Sequence, residues 1–330
     1  MRRLGRGARL TLLAAALIGA ILIARSARTP ELARAATAYA TAASPHDRYA
    51  ARLQLQLAVQ PLPGATALLR ALGLHAVGAD EGRAWLEAAD RALVAAQLAV
   101  PPFTATSAFD EAPGARAWRF PARRGHRVIV ATTVSATTAF VDLFDDHERL
   151  ASAAPGSTEL TYDVRADGDL VLRVQAPLGT AGEYRLTERS APSMTFPVQG
   201  ATARAIQSGF GAVRDAGRRT HEGIDIFASR GTPVVAATDG WIGSSLTNGL
   251  GGKVVWVWNP LARINTYYAH LDRHAVTPGE HVTAGEVVGY VGSTGNARGG
   301  PPHLHFGIYA AGEGSLDPLP FVCGAGCARR

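Results

Sequence analysis

His303-Leu304-His305-Phe306-Gly307-Ile308-Tyr309 is the stretch that decides how the last third of this chain folds. Leu304, Phe306 and Ile308 are apolar and alternate with His303, His305 and Gly307. A period of two belongs to a β-strand, whose successive side chains point to opposite sides. Read as a strand, the segment has one apolar core face and one face carrying two imidazoles about 7 Å apart. On a helix, residues two apart do not face each other, and the pair would be split. The strand is therefore a candidate metal or acid–base site, with a structural histidine pair as the alternative.

Upstream, His221-Glu222-Gly223-Ile224-Asp225-Ile226 places an imidazole and a carboxylate four residues apart on one strand face. Full extension would separate their Cα atoms by about 13 Å, too far to share one ion comfortably. Gly223 lies between them and permits a bend or bulge that closes the gap. One imidazole and one carboxylate suit zinc; a surface ion pair is the other reading. In Thr266-Tyr267-Tyr268-Ala269-His270-Leu271, alternation puts Thr266, Tyr268 and His270 on one face and Tyr267, Ala269 and Leu271 on the other. His270 reads as a third ligand, a proton-handling group or a half-buried structural histidine. Residues 289–296 are glycine-rich but lack the Gly-Lys-Ser/Thr ending of a phosphate loop, and read as a turn-rich connection to His303. His274 and His281 sit beside turn signals and read as solvated; His46, His75 and His126 have no partner pattern.

Taken in order, the three histidine motifs resemble the lysostaphin-type (β-lytic, LytM-like) family of zinc metallopeptidases. Its pattern is H-x-x-x-D, a Y-x-H-L-like strand and H-x-H. Here these stand as His221 to Asp225, Tyr268-Ala269-His270-Leu271, and His303 to His305. Glycine-rich loops at 278–285 and 292–295 match as well, and the resemblance spans residues 209–322, a bit over a third of the chain. It implies a mainly β catalytic domain whose antiparallel sheets form a groove, and an endopeptidase that hydrolyses the peptide cross-links of peptidoglycan. It implies one zinc ion per chain, bound by His221, Asp225 and His305, with His270 and His303 as catalytic residues flanking the open coordination position. Catalytically inactive relatives that activate wall hydrolases typically lack ligands that this chain keeps. A secreted general metalloprotease is a further alternative. The connection 248–253 departs from commoner family forms, which bears on substrate contacts rather than on the metal site.

The rest of the chain reads as an exported envelope protein. Its 330 residues allow two or three domains. With 47% hydrophobic and 18% charged residues, the composition allows a packed core and argues against wholesale disorder. The net charge of +6 is carried by scattered arginines rather than a stripe, which argues against a nucleic-acid partner. It fits attraction to anionic envelope polymers or lipid headgroups. Arg2, Arg3, Arg6 and Arg9 precede an apolar run at 10–24, as in a secretory signal covering 1–28. At about 1.5 Å per residue that run falls short of a roughly 30 Å hydrocarbon core, and no A-x-A site follows directly. A cleaved signal and an uncleaved inner-membrane anchor both remain open, and either places the remainder in the periplasm or cell envelope.

Residues 29–103 read as a helical region, with segments Tyr49–Val59, Ala65–Leu74 and Gly82–Val100, the last ended by Pro101-Pro102. Residues 104–190 read as a β-sandwich-like module, in which Val128–Ser135 and Thr138–Phe144 are strands. Asp167-Gly168-Asp169 reads as a hairpin turn between Leu160–Arg165 and Leu170–Val174. Asp145-Asp146-His147-Glu148 reads as a solvated turn, with a cation site as the alternative. The peptidase domain occupies 191–322 and a tail 323–330, where Cys323 and Cys327 read as a disulfide, since two thiolates alone make a poor zinc site.

Overall fold

The computed structural model describes residues 30–324, except 62–64, 66–68, 70–73, 75, 110–113, 135–138 and 155. Residues 1–28, expected as an export signal, Cys327, His75 and much of the helix expected at 65–74 lie outside the described residues. Cys323 is disulfide-bonded. Among the described residues no helix is long and apolar enough to cross a membrane.

The chain divides into two compact units, and the helical and sandwich regions share the first, which takes in the described residues of 30–121, 129–162 and 168–189. Its helices are α1 (Pro30–Thr41), α2 (Pro45–Val59) and α3 (Ala79–Val94). Ser44 caps α2 by accepting from Asp47 N at 3.0 Å, and Pro45 occupies a first-turn position where no N–H is required. Leu32, Ala36, Leu55 and Val59 form the buried seam of α1 and α2. Helix α3 stops at Val94, short of the expected Val100. Gln97–Leu98 leaves it to become β1, parallel to Trp118–Arg119, and Ala99 N donates to Arg119 O at 2.8 Å. Long-range pairing satisfies backbone groups that local helix preference alone would have kept in the helix.

The strands β1 (Gln97–Leu98), β2 (Phe103–Phe109), β3 (Ala115–Ala122), β4 (His126–Val134), β5 (Phe140–Phe144), β6 (Arg149–Ser152), β7 (Glu159–Asp163), β8 (Gly168–Gln175) and β9 (Gly182–Pro192) build two sheets. Their orders are β1-β3-β8-β5-β6 and β2-β9-β4-β7. Asp167-Gly168 is therefore not a hairpin turn, because β7 and β8 belong to different sheets. Leu160 is buried in one sheet, Leu170 and Leu172 in the other, and that burial outweighs the local turn preference. Asp145 closes a turn by accepting from His147 N and Glu148 N, while Asp146 pairs with Arg119, so 145–148 is a solvent-facing turn. His46, which showed no partner in the sequence, is buried, bonded to Gln175 Oε1 at 2.7 Å and stacked on Trp85.

The second unit comprises the described residues of 122–128, 163–167 and 190–324. Its strands are β10 (Ile206–Ser208), β11 (Val213–Arg214), β12 (Arg219–Thr220), β13 (Ile224–Phe227), β14 (Pro233–Val235), β15 (Gly240–Asn248), β16 (Gly252–Asn259), β17 (Ile264–Leu271), β18 (Arg273–His274), β19 (His281–Val282), β20 (Val287–Tyr290), β21 (His303–Ala310) and β22 (Gly314–Leu316). The main sheet runs β10-β13-β21-β17-β16-β15-β19, with β22 on β21; β14-β20-β18 and the β11-β12 hairpin stand apart. The pairings in this unit are antiparallel.

Leu304, Phe306 and Ile308 of β21 are fully buried, together with Ile226 of β13 and Tyr268 of β17. Each such side chain contributes roughly 1.5–3 kcal/mol on burial. A slip of one residue would turn all of them outward, so the register is strongly specified. That register sets Asp225 opposite His305 and His305 opposite Ala269.

Simple alternation fails on β17. Thr266 and Tyr268 share the core, joined hydroxyl to hydroxyl at 3.1 Å, but His270 lines the groove with Tyr267 and Ala269. Lys253 lies opposite Leu271 and Val255 opposite Tyr268, so two residues of β17 face one of β16. This bulge, with a φ of 61° at His270, turns the imidazole out of the Thr266–Tyr268 face. His270 N donates to Gly251 O at 2.7 Å, which helps hold a backbone conformation that is unfavourable for any side chain with a Cβ.

Candidate metal centre

Strand β13 supplies Asp225, β21 supplies His305, and the turn ahead of β13 supplies His221. His221 is thus not on a strand with Asp225; the chain bends at Gly223 and the gap between the two side chains closes to 3.0 Å. Gly223 contributes room rather than an unusual φ. A Cβ there would lie 2.4 Å from Phe306 O and 2.9 Å from His305 Nε2. Gly223→Ala is accordingly expected to destabilise the protein by about 1–3 kcal/mol through overpacking against the site. A thermal melt followed by circular dichroism would register this as a lower midpoint; an unchanged midpoint would show that the strand yields easily.

Three ligand-type atoms converge. His221 Nε2 is 2.9 Å from His305 Nδ1 and 3.0 Å from Asp225 Oδ1, and His305 Nδ1 is 3.1 Å from the same oxygen. Among the described residues this is the one cluster of three His, Cys, Asp or Glu groups arranged to hold an ion. His221 Nδ1 donates to Gly209 O at 2.9 Å, so Nε2 of the neutral ring carries a lone pair. Lone pairs brought this close need a proton or a cation among them. Burial would raise the Asp225 pKa, but with a proton among the three groups, hydrogen bonds and charge from His221 and His305 hold it well below the usual carboxylate range. Burial lowers that of His305. Two imidazole nitrogens and one carboxylate oxygen, nearly buried yet open on one side to the groove, fit a divalent N/O-binding cation. The second oxygen, Asp225 Oδ2, accepts from Arg214 at 2.6 Å.

His270 and His303 stand beside the cluster. Their ring centroids are 5.0 Å apart, and that of His270 lies 6.0 Å from His305. His270 Nδ1 donates to Thr294 O and His303 Nδ1 to Pro301 O, each at 2.9 Å. A carbonyl can only accept, so in both rings Nε2 is the nitrogen left for chemistry. Burial, then the neighbouring His303 and His305, pushes the His270 pKa down to about 4. Its Nε2 is therefore a proton acceptor at neutral pH. Phe227 stacks on His303 at 4.9 Å and fixes its plane.

The groove has a volume of about 720 Å³ and is walled by Leu250, Trp256, Tyr267 and Tyr309, with Arg214 and Arg219 of the β11-β12 hairpin. Tyr309 donates to Glu222 Oε2 at 3.3 Å, and burial with that carboxylate raises its pKa. Extending the 303–307 alternation by two residues would have found Tyr309. Thr294 and Arg214 left no such signal. Thr294 lies in a loop that reads as a mere connection, yet its carbonyl orients His270 and its hydroxyl donates to Leu271 O.

Residues 219–318 match the model of peptidase family M23, which assigns a domain of that family to this segment. Over 138 residues it is 37% identical to the L-Ala–D-Glu endopeptidase of Bacillus subtilis (strain 168), covering 38% of this chain and 42% of that protein. Over 88 residues it is 40% identical to the peptidoglycan DD-endopeptidase ShyC of Vibrio cholerae, covering 27% of this chain and 20% of that protein. The matches span less than half the length of either relative. Among solved structures, the catalytic domain of the antimicrobial peptidase lysostaphin from Staphylococcus simulans is 30% identical, with 36% of this chain and 93% of that chain covered and a TM-score of 0.33.

Proposed function

We propose that this protein is a zinc-dependent endopeptidase that hydrolyses peptide cross-links of peptidoglycan. One observation carries the reading: the convergence of His221 Nε2, Asp225 Oδ1 and His305 Nδ1 beside two imidazoles that keep Nε2 for the groove. Those three atoms would hold one zinc ion per chain. When bound, zinc supplies Lewis acidity that polarises the scissile carbonyl and acidifies water. The apolar wall of Leu250, Trp256 and Tyr309 seats an extended peptide against the site. His270 Nε2 accepts the proton of the attacking water, because its pKa near 4 keeps it unprotonated beforehand. Once protonated, the same nitrogen is a donor to the leaving amine. His303, held by Pro301 O and Phe227, would orient the water with its free Nε2. The endopeptidase relatives support peptidoglycan stem peptides as substrate.

The test is incubation of the full chain with cross-linked muropeptides and identification of the products by mass. Cleavage abolished by a chelator and restored by zinc is expected. Bound zinc without any cleavage would favour an inactive activator of wall hydrolases.

The working compartment belongs to the same proposal. Arg2, Arg3, Arg6 and Arg9 ahead of the apolar run support export to the periplasm or envelope, with residues 10–24 as a signal or inner-membrane anchor. Reporters fused after residue 100 are expected to be active only when their activity requires export. Activity confined to a cytoplasmic reporter would contradict this.

A further inference from the structure

The geometry points to Arg214 as a positioning residue that confines Asp225 to binding through a single oxygen, an inference that rests on the zinc reading above. Arg214 ends β11 in the hairpin beside the groove. One guanidinium nitrogen, Nη2, donates to Asp225 Oδ2 and to Ser208 Oγ, each at 2.6 Å. An N–H₂ group has two hydrogens, so both are committed. One anchors the guanidinium to β10 and the other closes on the carboxylate. Ser208 is also the register partner of Asp225 across β10–β13, and its hydroxyl lies 3.3 Å from His221 Nδ1. Arg214 and Ser208 thus touch two of the three ligand side chains from behind.

A carboxylate has two oxygens and can bind a cation through both, which would use up a position on the open side. Here the oxygens are divided. Oδ1 faces His221 and His305, while Oδ2 is held by a charge-assisted bond to Arg214. The side chains are 32% exposed for Arg214 and 10% for Asp225, so solvent screens this pair less than a surface pair. With Oδ2 occupied, Asp225 would offer a bound cation Oδ1 alone, leaving the groove side free for water and the peptide carbonyl. A merely structural pin for the β11-β12 hairpin would not depend on how many oxygens Asp225 gives to an ion.

The experiment uses the full chain loaded with cobalt(II) in place of zinc, because four-coordinate cobalt(II) absorbs visible light far more strongly than higher-coordinate forms. Zinc affinity is measured in parallel by chelator competition. Wild type is expected to show the strong band. Arg214→Met should lose most of it and bind zinc about 10–100-fold more weakly, the usual effect of removing a group that orients a ligand. Arg214→Lys, which keeps one point charge, should recover part of both. Ser208→Ala removes only the anchor and should shift both readouts in the same direction; it decides the matter if Arg214→Met does not fold. Cobalt spectra and zinc affinities equal to wild type in the folded variants would overturn the role of Arg214 alone. A wild type that takes up neither ion would overturn the zinc reading, and this inference with it.

Discussion

Replacing His221, Asp225 or His305 by alanine is expected to strip zinc from the protein and lower muropeptide cleavage by about 10³-fold or more. The estimate follows from several kcal/mol of charge stabilisation supplied by a catalytic cation, at about 1.4 kcal/mol per decade of rate. Each of the three is expected to matter equally for metal retention, because their ligand atoms lie 2.9–3.1 Å from one another around one point. Two protein ligands hold the ion poorly. Asp225→Ala carries a further cost to the metal-free fold, separate from metal retention. It leaves His221 and His305 facing each other without the anion between them, and it takes away the partner of Arg214. Metal content and product formation should be measured on the same preparations. A variant of this group that still holds one zinc per chain would remove that residue from the ligand set. Retention by His305→Ala with loss by His303→Ala would reverse the roles of the two histidines on β21.

His270→Ala and His303→Ala should separate the metal from the chemistry. Neither ring belongs to the convergent trio, so zinc should stay near one per chain. Turnover should nonetheless fall by about 10²–10⁴-fold, the usual loss for a positioned proton-transfer group. The larger effect is expected at His270, whose acceptor nitrogen is pre-set by Thr294 O and by a pKa near 4. The same shift has a consequence for stability. Between the ordinary value of 6.5 and about 4, the unfolded chain binds a proton that the folded ring refuses. His270 therefore makes the metal-free fold less stable as pH drops through that window, and His270→Ala should flatten this part of the stability–pH curve. Denaturation midpoints from pH 7 to 4 would show it. Equal slopes in wild type and variant would mean that His270 titrates normally.

The alternation of Leu304, Phe306 and Ile308 with His303 and His305 was readable directly, because period two is a local property of extended backbone and one face of β21 is wholly buried. β4 and β5 were readable from their Val, Thr and Phe content, and α2 from apolar residues spaced three and four apart. Local rules misled where a distant partner outbid them. Val100 left the helical pattern because Gln97–Leu98 pairs with β3, and Asp167-Gly168 marks a crossing between sheets because β7 and β8 find different neighbours.

At the centre itself, local order specified the kinds of ligand: imidazole and carboxylate on either side of Gly223, and two imidazoles on β21. Their convergence required the β13–β21–β17 register, which buries side chains far apart in the chain and so brings Asp225 opposite His305. The sequence pattern of β17 puts His270 with Thr266 and Tyr268; a bulge against β16 and a φ of 61° put it in the groove instead. Arg214 and Thr294 enter the site through hydrogen bonds to Asp225 and His270 across 11 and 24 residues of chain. No periodicity records such bonds, since hairpin and loop residues carry no repeating face, and only the packed sheet brings the partners within reach.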